Sequence, residues 1–267
     1  MLLDFSRLGP WRLVLTLISV LVGAYLLLPI LLIIGLSFGS SRWLQFPPPG
    51  WTLRWYGELF ADPEWIASFL TSFQIAAVVT VLSVVIGLMA SFGLTRGEFR
   101  GREVLRALFL TPMILPVVVL AVALYAFFLR LHLNGTFIGF VLAHLVVALP
   151  FSIIALSNAL ERFDRDIETA AIVCGASPLE AKLRVTLPGI RLGLVSAALF
   201  SFLASWDEVV IAIFMASPDL QTLPVRIFST LRQDLSPVIA AVSTLLIALT
   251  AGLMGLIALL KKDDART

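Results

Sequence analysis

Two adjacent carboxylates, Asp207 and Glu208, stand inside the apolar run SFLASWDEVVIAIF, where a bilayer-spanning helix would hold them. An ionised acid at that depth costs about 2.5–3.5 kcal/mol on insertion scales. A pair of them is tolerated only beside water, a counter-charge or a cationic ligand. Successive helical residues turn by about 100°, so the two acids cannot share a face. Ser201, Ser205 and Glu208 fall on one stripe with Ala212, while Asp207 lies toward Leu203 and Ile211. With Trp206 they form the candidate solute pathway. Three readings are open: the acids line a cavity and replace the hydration of an amine, they pair with an arginine of another subunit, or the helix ends early and leaves them solvated at its mouth.

Other chemistries lack their context. The stretch GLSFG, residues 35–39, matches G-x-S-x-G around Ser37, but it closes an apolar helix instead of forming a strand–turn–helix elbow. His132 and His144 are the only histidines, and neither has a metal-ligand neighbour at helical spacing, so no metal site is expected. An intramembrane serine–histidine hydrolase is the competing functional class. A phosphate-binding loop needs G-x-x-x-x-G-K-[ST], and Lys182, Lys261 and Lys262 all lack a preceding glycine. The chain therefore has no nucleotide site of its own and is not expected to be an enzyme. The single Cys174 excludes an internal disulfide.

The elements that must position these residues are membrane helices. Only 13% of the 267 residues are charged and mean hydropathy is +1.02, against roughly 25% charged residues in a soluble domain. Bases are scattered in short clusters, which argues against nucleic acid as a partner. Apolar runs long enough for a ~30 Å hydrocarbon core fall at about 13–38, 68–94, 104–129, 136–157, 192–216 and 238–260. The expected fold is a single all-α transmembrane domain over 1–267 with six spans. The first run is too long for a cleavable signal core and reads as a retained helix. Pro112 and Pro116 should kink the third, which requires neighbours or a cavity to satisfy the freed carbonyls. With the N-terminus inside, fourteen of the nineteen Lys and Arg residues, from Arg7 and Arg12 to Lys261, Lys262 and Arg266, face the cytoplasm. That bias places both termini there.

Between the fourth and fifth runs lies a polar loop, about 160–190, with clear helix punctuation. Asp164 is placed to cap a short helix on which Ile167, Ala170, Ala171 and Cys174 share a face. Gly175 can end it in the left-handed conformation. Ser177-Pro178-Leu179-Glu180 reads as a capping box with Pro at the first helical position. Leu187-Pro188 should close the second helix, because the residue before proline is pushed out of the helical region. On spacing alone this elbow is either a solvated connector or a docking surface.

The segment ETAAIVCGASPLEAKLRVTLP resembles the EAA loop of importer-type ABC transporter permeases, with matches at Ala170, Ala171, Gly175, Ala176, Thr186, Leu187 and Pro188. The resemblance implies a coupling helix seated in a separate ATPase subunit, with Ser177 at its turn. It departs at one point: Thr169 holds the place of the family's leading Glu, and Glu168 sits one residue earlier. WTLRWYGELF, TRGEFRGREVLRALFLTPMILPVVV, SFLASWDEVVIAIF and TLPVRIFSTLRQDLSPVIAAVSTLL are similar to the polyamine/opine branch, the spermidine and putrescine permeases.

That likeness implies a multi-pass protein of the bacterial inner membrane. Its partners would be a second permease chain, expected to be a paralogue, two ATPases binding ATP and Mg, and a periplasmic solute-binding protein. It favours the cavity reading of Asp207 and Glu208 and a small cationic solute; an opine, an aminophosphonate or a ferric complex is the alternative. Trp51, Trp55 and Tyr56 in the loop after the first run are either interfacial anchors or the contact for the binding protein.

Overall fold

The computed structural model describes residues 11–233 and 236–264, with side chains up to residue 252. Arg7 and Arg266 lie outside the described residues, as do the side chains of Lys261 and Lys262. The chain divides into two compact units. One comprises residues 1–63 and 229–267, and the other runs from Glu64 to Phe228.

The first unit holds α1 (Trp11–Ser37), α2 (Arg54–Ala61) and α13 (Val238–Asp264), with α13 packed on both. α1 is apolar on every side and carries Pro29 in its interior. The connection from α1 to α2 is fixed by its aromatics. Trp55 is buried and its Nε1 donates to the Gly39 carbonyl at 2.6 Å, while the Tyr56 hydroxyl lies 2.8 Å from Ser37 Oγ.

The second unit begins with α3 (Pro63–Arg96), a helix of 34 residues. Pro63 stands at its first position, Glu64 in its first turn and Arg96 in its last, an arrangement that suits both the missing proline N–H and the helix dipole. α4 (Arg102–Ile114) and α5 (Val117–Arg130) follow, bent by 104° at Leu115–Pro116. Leu115 is extended because Pro116 follows it. The third apolar run is therefore not one helix: Pro112 stays inside α4 and Pro116 makes the turn. α6 (Phe137–Arg162) starts at Thr136, whose hydroxyl accepts the Gly139 N–H at 3.0 Å.

α10 (Arg191–Trp206) packs along α6 at short range. A Cβ on Gly193 would stand 2.3 Å from that of Ala159. Close approach through small residues is how membrane helices gain packing where lipid removes the hydrophobic drive. α10 ends at Trp206, and the short α11 (Val210–Met215) continues beyond a three-residue break. The fifth apolar run thus does not carry a continuous helix through Asp207 and Glu208. Ile75, Val79, Phe140, Ala148, Ile211 and Met215 form the core of this unit. α12 (Leu223–Gln233) leads out of it.

By length and composition α1, α3 and α6 can each cross a membrane, and up to five such crossings result if each bent pair counts as one.

Candidate functional site

The polar loop folds as an elbow. Asp164 Oδ1 accepts the Asp166 N–H at 2.9 Å and starts α7 (Arg165–Val173). Gly175 ends it at φ +102°, with its N–H on the Ile172 carbonyl and the Ala176 N–H on that of Ala171. Those are the two bonds of a Schellman turn, open to glycine because it has no Cβ. The capping box is formed: Ser177 Oγ accepts the Glu180 N–H at 3.3 Å and Glu180 Oε2 accepts the Ser177 N–H at 3.0 Å. The Ser177 backbone N–H, then its hydroxyl, hold the Glu180 carboxyl below its ordinary value.

The second half of the elbow differs from expectation. Leu187 keeps helical angles, and the chain runs through α8 (Pro178–Ala181), a π-turn at Lys182–Thr186 and α9 (Leu187–Gly189) before bending by 73° into α10. A proline ring collides with the carbonyl four residues back in an ordinary helix. The wider π-turn immediately before Pro188 relieves that collision, so Leu187-Pro188 does not close the helix.

Ile172, Val173, Leu179 and Leu183 are exposed around Gly175, and so are Thr169 and Ala170. Ala171 and Ala176 are half-buried. The acid in question behaves otherwise. Glu168 is the one buried residue of α7; Arg96 Nη1 donates to its Oε2 at 2.6 Å and Thr186 Oγ1 donates to the same oxygen at 2.8 Å. Arg96 also lies over the rings of Phe92 and Phe163. Its Nε and Nη2 are buried without an acceptor, so the carboxylate carries the compensation of that charge. Removing one member of a buried pair typically costs about 3–5 kcal/mol. Nothing in the sequence marks this pair, whose members are separated by 72 positions.

The acids of the fifth run are divided by the break after Trp206. Asp207 is exposed, whereas Glu208 is half-buried and its Oε1 accepts the Ile211 N–H at 2.8 Å. Glu208 thereby satisfies an orphan donor at the start of α11. Trp206 stacks on Phe202 and meets Phe69 edge-on at 5.5 Å, so an aromatic wall stands beside the acids. Ser201 and Ser205 turn toward α6: Ser205 Oγ is 3.0 Å from His144 Nδ1, and Ser201 Oγ donates to the Ala148 carbonyl at 3.5 Å. His144 and Ser205 are sealed from solvent, leaving no surface at which a bond could be presented for hydrolysis. Ser37 is committed to Tyr56. Of the loop aromatics, Trp51 is exposed while Trp55 and Tyr56 are engaged inside the first unit. No cluster of three or more metal-ligating side chains occurs among the described residues.

Residues 83–263 match the family described as binding-protein-dependent transport system inner membrane component. The chain is 34% identical over 257 residues to the putrescine transport system permease protein PotI of Escherichia coli strain K12, covering 94% of this chain and 90% of that one. It is 30% identical over 243 residues to the spermidine/putrescine transport system permease protein PotC of Haemophilus influenzae, covering 91% and 94%. In fold it is similar to a chain of a bacterial ABC transporter involved in the import of the acidic polysaccharide alginate, with a TM-score of 0.70, 17% identity and coverage of 94% and 96%. The chain belongs to the binding-protein-dependent transport system inner membrane components: it is a permease subunit of the bacterial inner membrane, not an enzyme.

Proposed function

We propose that this permease subunit passes a small cationic solute of the putrescine or spermidine type, and that Asp207 recognises it. The observation that carries the reading is the exposed Asp207 carboxylate beside the Trp206, Phe202 and Phe69 rings. Carboxylate and aromatic face together replace the water around an ammonium group, which neither an anionic nor an uncharged solute would need. Glu208 shapes the break and adds negative potential. Ser201 and Ser205 serve by fixing α10 to α6. The names of the relatives, putrescine and spermidine permeases, support the same solute class.

Six crossings with both termini in the cytoplasm are the topology this function uses, the bent pairs supplying two of them. A second, paralogous permease chain completes the pathway, and two ATPase subunits bring ATP and Mg. The exposed apolar group Ile172, Val173, Leu179 and Leu183 at Gly175 is the surface they grip. A periplasmic binding protein meets the opposite side, where Trp51 offers an exposed ring. Solute delivery and ATPase closure must favour the same state, since coupling between sites is reciprocal.

Uptake of labelled putrescine by proteoliposomes holding the assembled transporter tests the reading. ATP-dependent uptake competed by spermidine and untouched by an acidic sugar is the expected result. Uptake unaffected by Asp207→Asn combined with Glu208→Gln would remove the recognition role.

A further inference from the structure

Glu168 faces away from the surface on which the elbow presents its exposed apolar residues. Its carboxylate is spent on Arg96, in the last turn of α3, and on Thr186, in the π-turn. One turn earlier on the same face of α7, Arg165 Nη2 donates to the Thr95 carbonyl at 2.8 Å. Two bonds from α7 therefore clamp the same end of α3, and a third joins the clamp to the second half of the elbow. From there α3 runs to Glu64 as one helix with no proline past its first residue. Midway it touches α6 at short range: a Cβ on Gly87 would stand 2.4 Å from Ser152 Oγ, and Ser91 Oγ donates to the Ile153 carbonyl at 3.2 Å. At the far end Ser72 Oγ accepts the Leu223 N–H at 2.7 Å, and Glu64 pairs with Arg226, whose guanidinium covers Trp65.

We propose that Glu168 is a positioning residue for transport. It ties the elbow to α3, so that displacement of the elbow rocks α3 about its contact with α6 at Gly87 and moves the Glu64–Arg226 end. At 1.5 Å per residue the arm from Gly87 to Arg96 is about 14 Å and the arm to Glu64 about 35 Å. A small shift at the elbow is thus enlarged roughly two- to threefold at the other end. Glu168 makes no contact with the ATPase, and the place of the family's leading acid is taken on the outer face by Thr169. This inference rests on the coupling role proposed above for the elbow.

Ala67 is exposed on the far arm, beside a cavity of about 250 Å³ that Glu64 and Arg226 also line. The test is the rate at which a membrane-impermeant maleimide labels Ala67→Cys in a Cys174→Ser background, in the assembled transporter, nucleotide-free and after trapping with ATP and vanadate. A severalfold change on trapping is expected. Glu168→Gln should cut that change to less than half while the ATPase still co-purifies and hydrolyses ATP. Because Glu168→Gln leaves Arg96 uncompensated, Glu168→Leu with Arg96→Met serves as the second variant; it removes both charges while keeping bulk, and should lose the labelling change in the same way. Three results would overturn the proposal: an unaltered labelling change in both variants, no change on trapping in the parent, or loss of ATPase co-purification on Glu168→Gln, which would make Glu168 a contact residue. If the parent chain itself retains no ATPase, the coupling role of the elbow fails and this inference with it.

Discussion

His144 and Ser205 meet across the α6–α10 contact, Nδ1 to Oγ 3.0 Å, both buried, and the other ring nitrogen of His144 has no hydrogen-bond partner among the described residues. The bond sits two residues before the break that exposes Asp207. Its role is to hold the end of α10 in place. Ser205→Ala should cost about 0.6 kcal/mol, the average for such bonds between membrane helices. His144→Ala should cost more, about 2–5 kcal/mol, because it also leaves a cavity. Thermal unfolding of the detergent-solubilised transporter measures both. Neither change should alter which solute competes for uptake.

Asp207→Asn and Glu208→Gln should separate. The first removes an exposed charge that caps nothing, and should raise the solute concentration for half-maximal uptake at least about tenfold, equivalent to 1.4 kcal/mol. The second weakens the start of α11 as well, and should lower both transport and thermal stability. Concentration series of uptake, read beside melting curves, distinguish the two. Equal behaviour in both assays would contradict the division of labour.

The outer surface of the elbow should be sensitive to charge. Val173→Asp and Leu179→Asp place carboxylates on exposed apolar positions without disturbing the Glu168 clamp. Each should reduce co-purification of the ATPase severalfold while the permease itself stays folded in detergent. Retention of the ATPase at parental levels would argue that the docking surface lies elsewhere.

Acid should loosen the second half of the elbow. Ser177 holds the Glu180 carboxyl below its ordinary value. A depressed carboxyl contributes stability that is present above its ordinary value and disappears as pH falls through the lowered one. Amide exchange at Glu180 and Ala181, corrected for the intrinsic effect of pH, should speed up through that acid range. Ser177→Ala should exchange fast already at neutral pH and show little further change.

The elbow was legible because caps are local. Asp164, Gly175 and the Ser177–Glu180 box each act within one turn, and each forms as its residue type dictates. What escaped the sequence depends on distant residues or on rarer geometry. Leu187-Pro188 reads as a stop until a π-turn opens ahead of it. Glu168 looks like an outward acid displaced by one position, because its ion pair comes from 72 residues away. Ser201 and Ser205 do share a stripe, but which neighbour that stripe faces is decided by α6. One local signal for the break after Trp206 was present: Glu208 stands three residues ahead of Ile211, at the spacing of an acid that caps a new helix.

The π-turn at Lys182–Thr186 also sets the phase of everything after it. Such a turn holds about one residue more than the α-helical path requires, and each residue is worth about 100° of rotation. Deleting one residue there would let the backbone revert to ordinary winding and swing α10 by more than a quarter of a revolution about its own axis. Gly193, Ser201 and Ser205 would then leave α6 together, and the bulky side chains of the neighbouring rows would arrive in their place. The azimuth of the Asp207 carboxylate is in this sense written five turns upstream, in a single surplus residue.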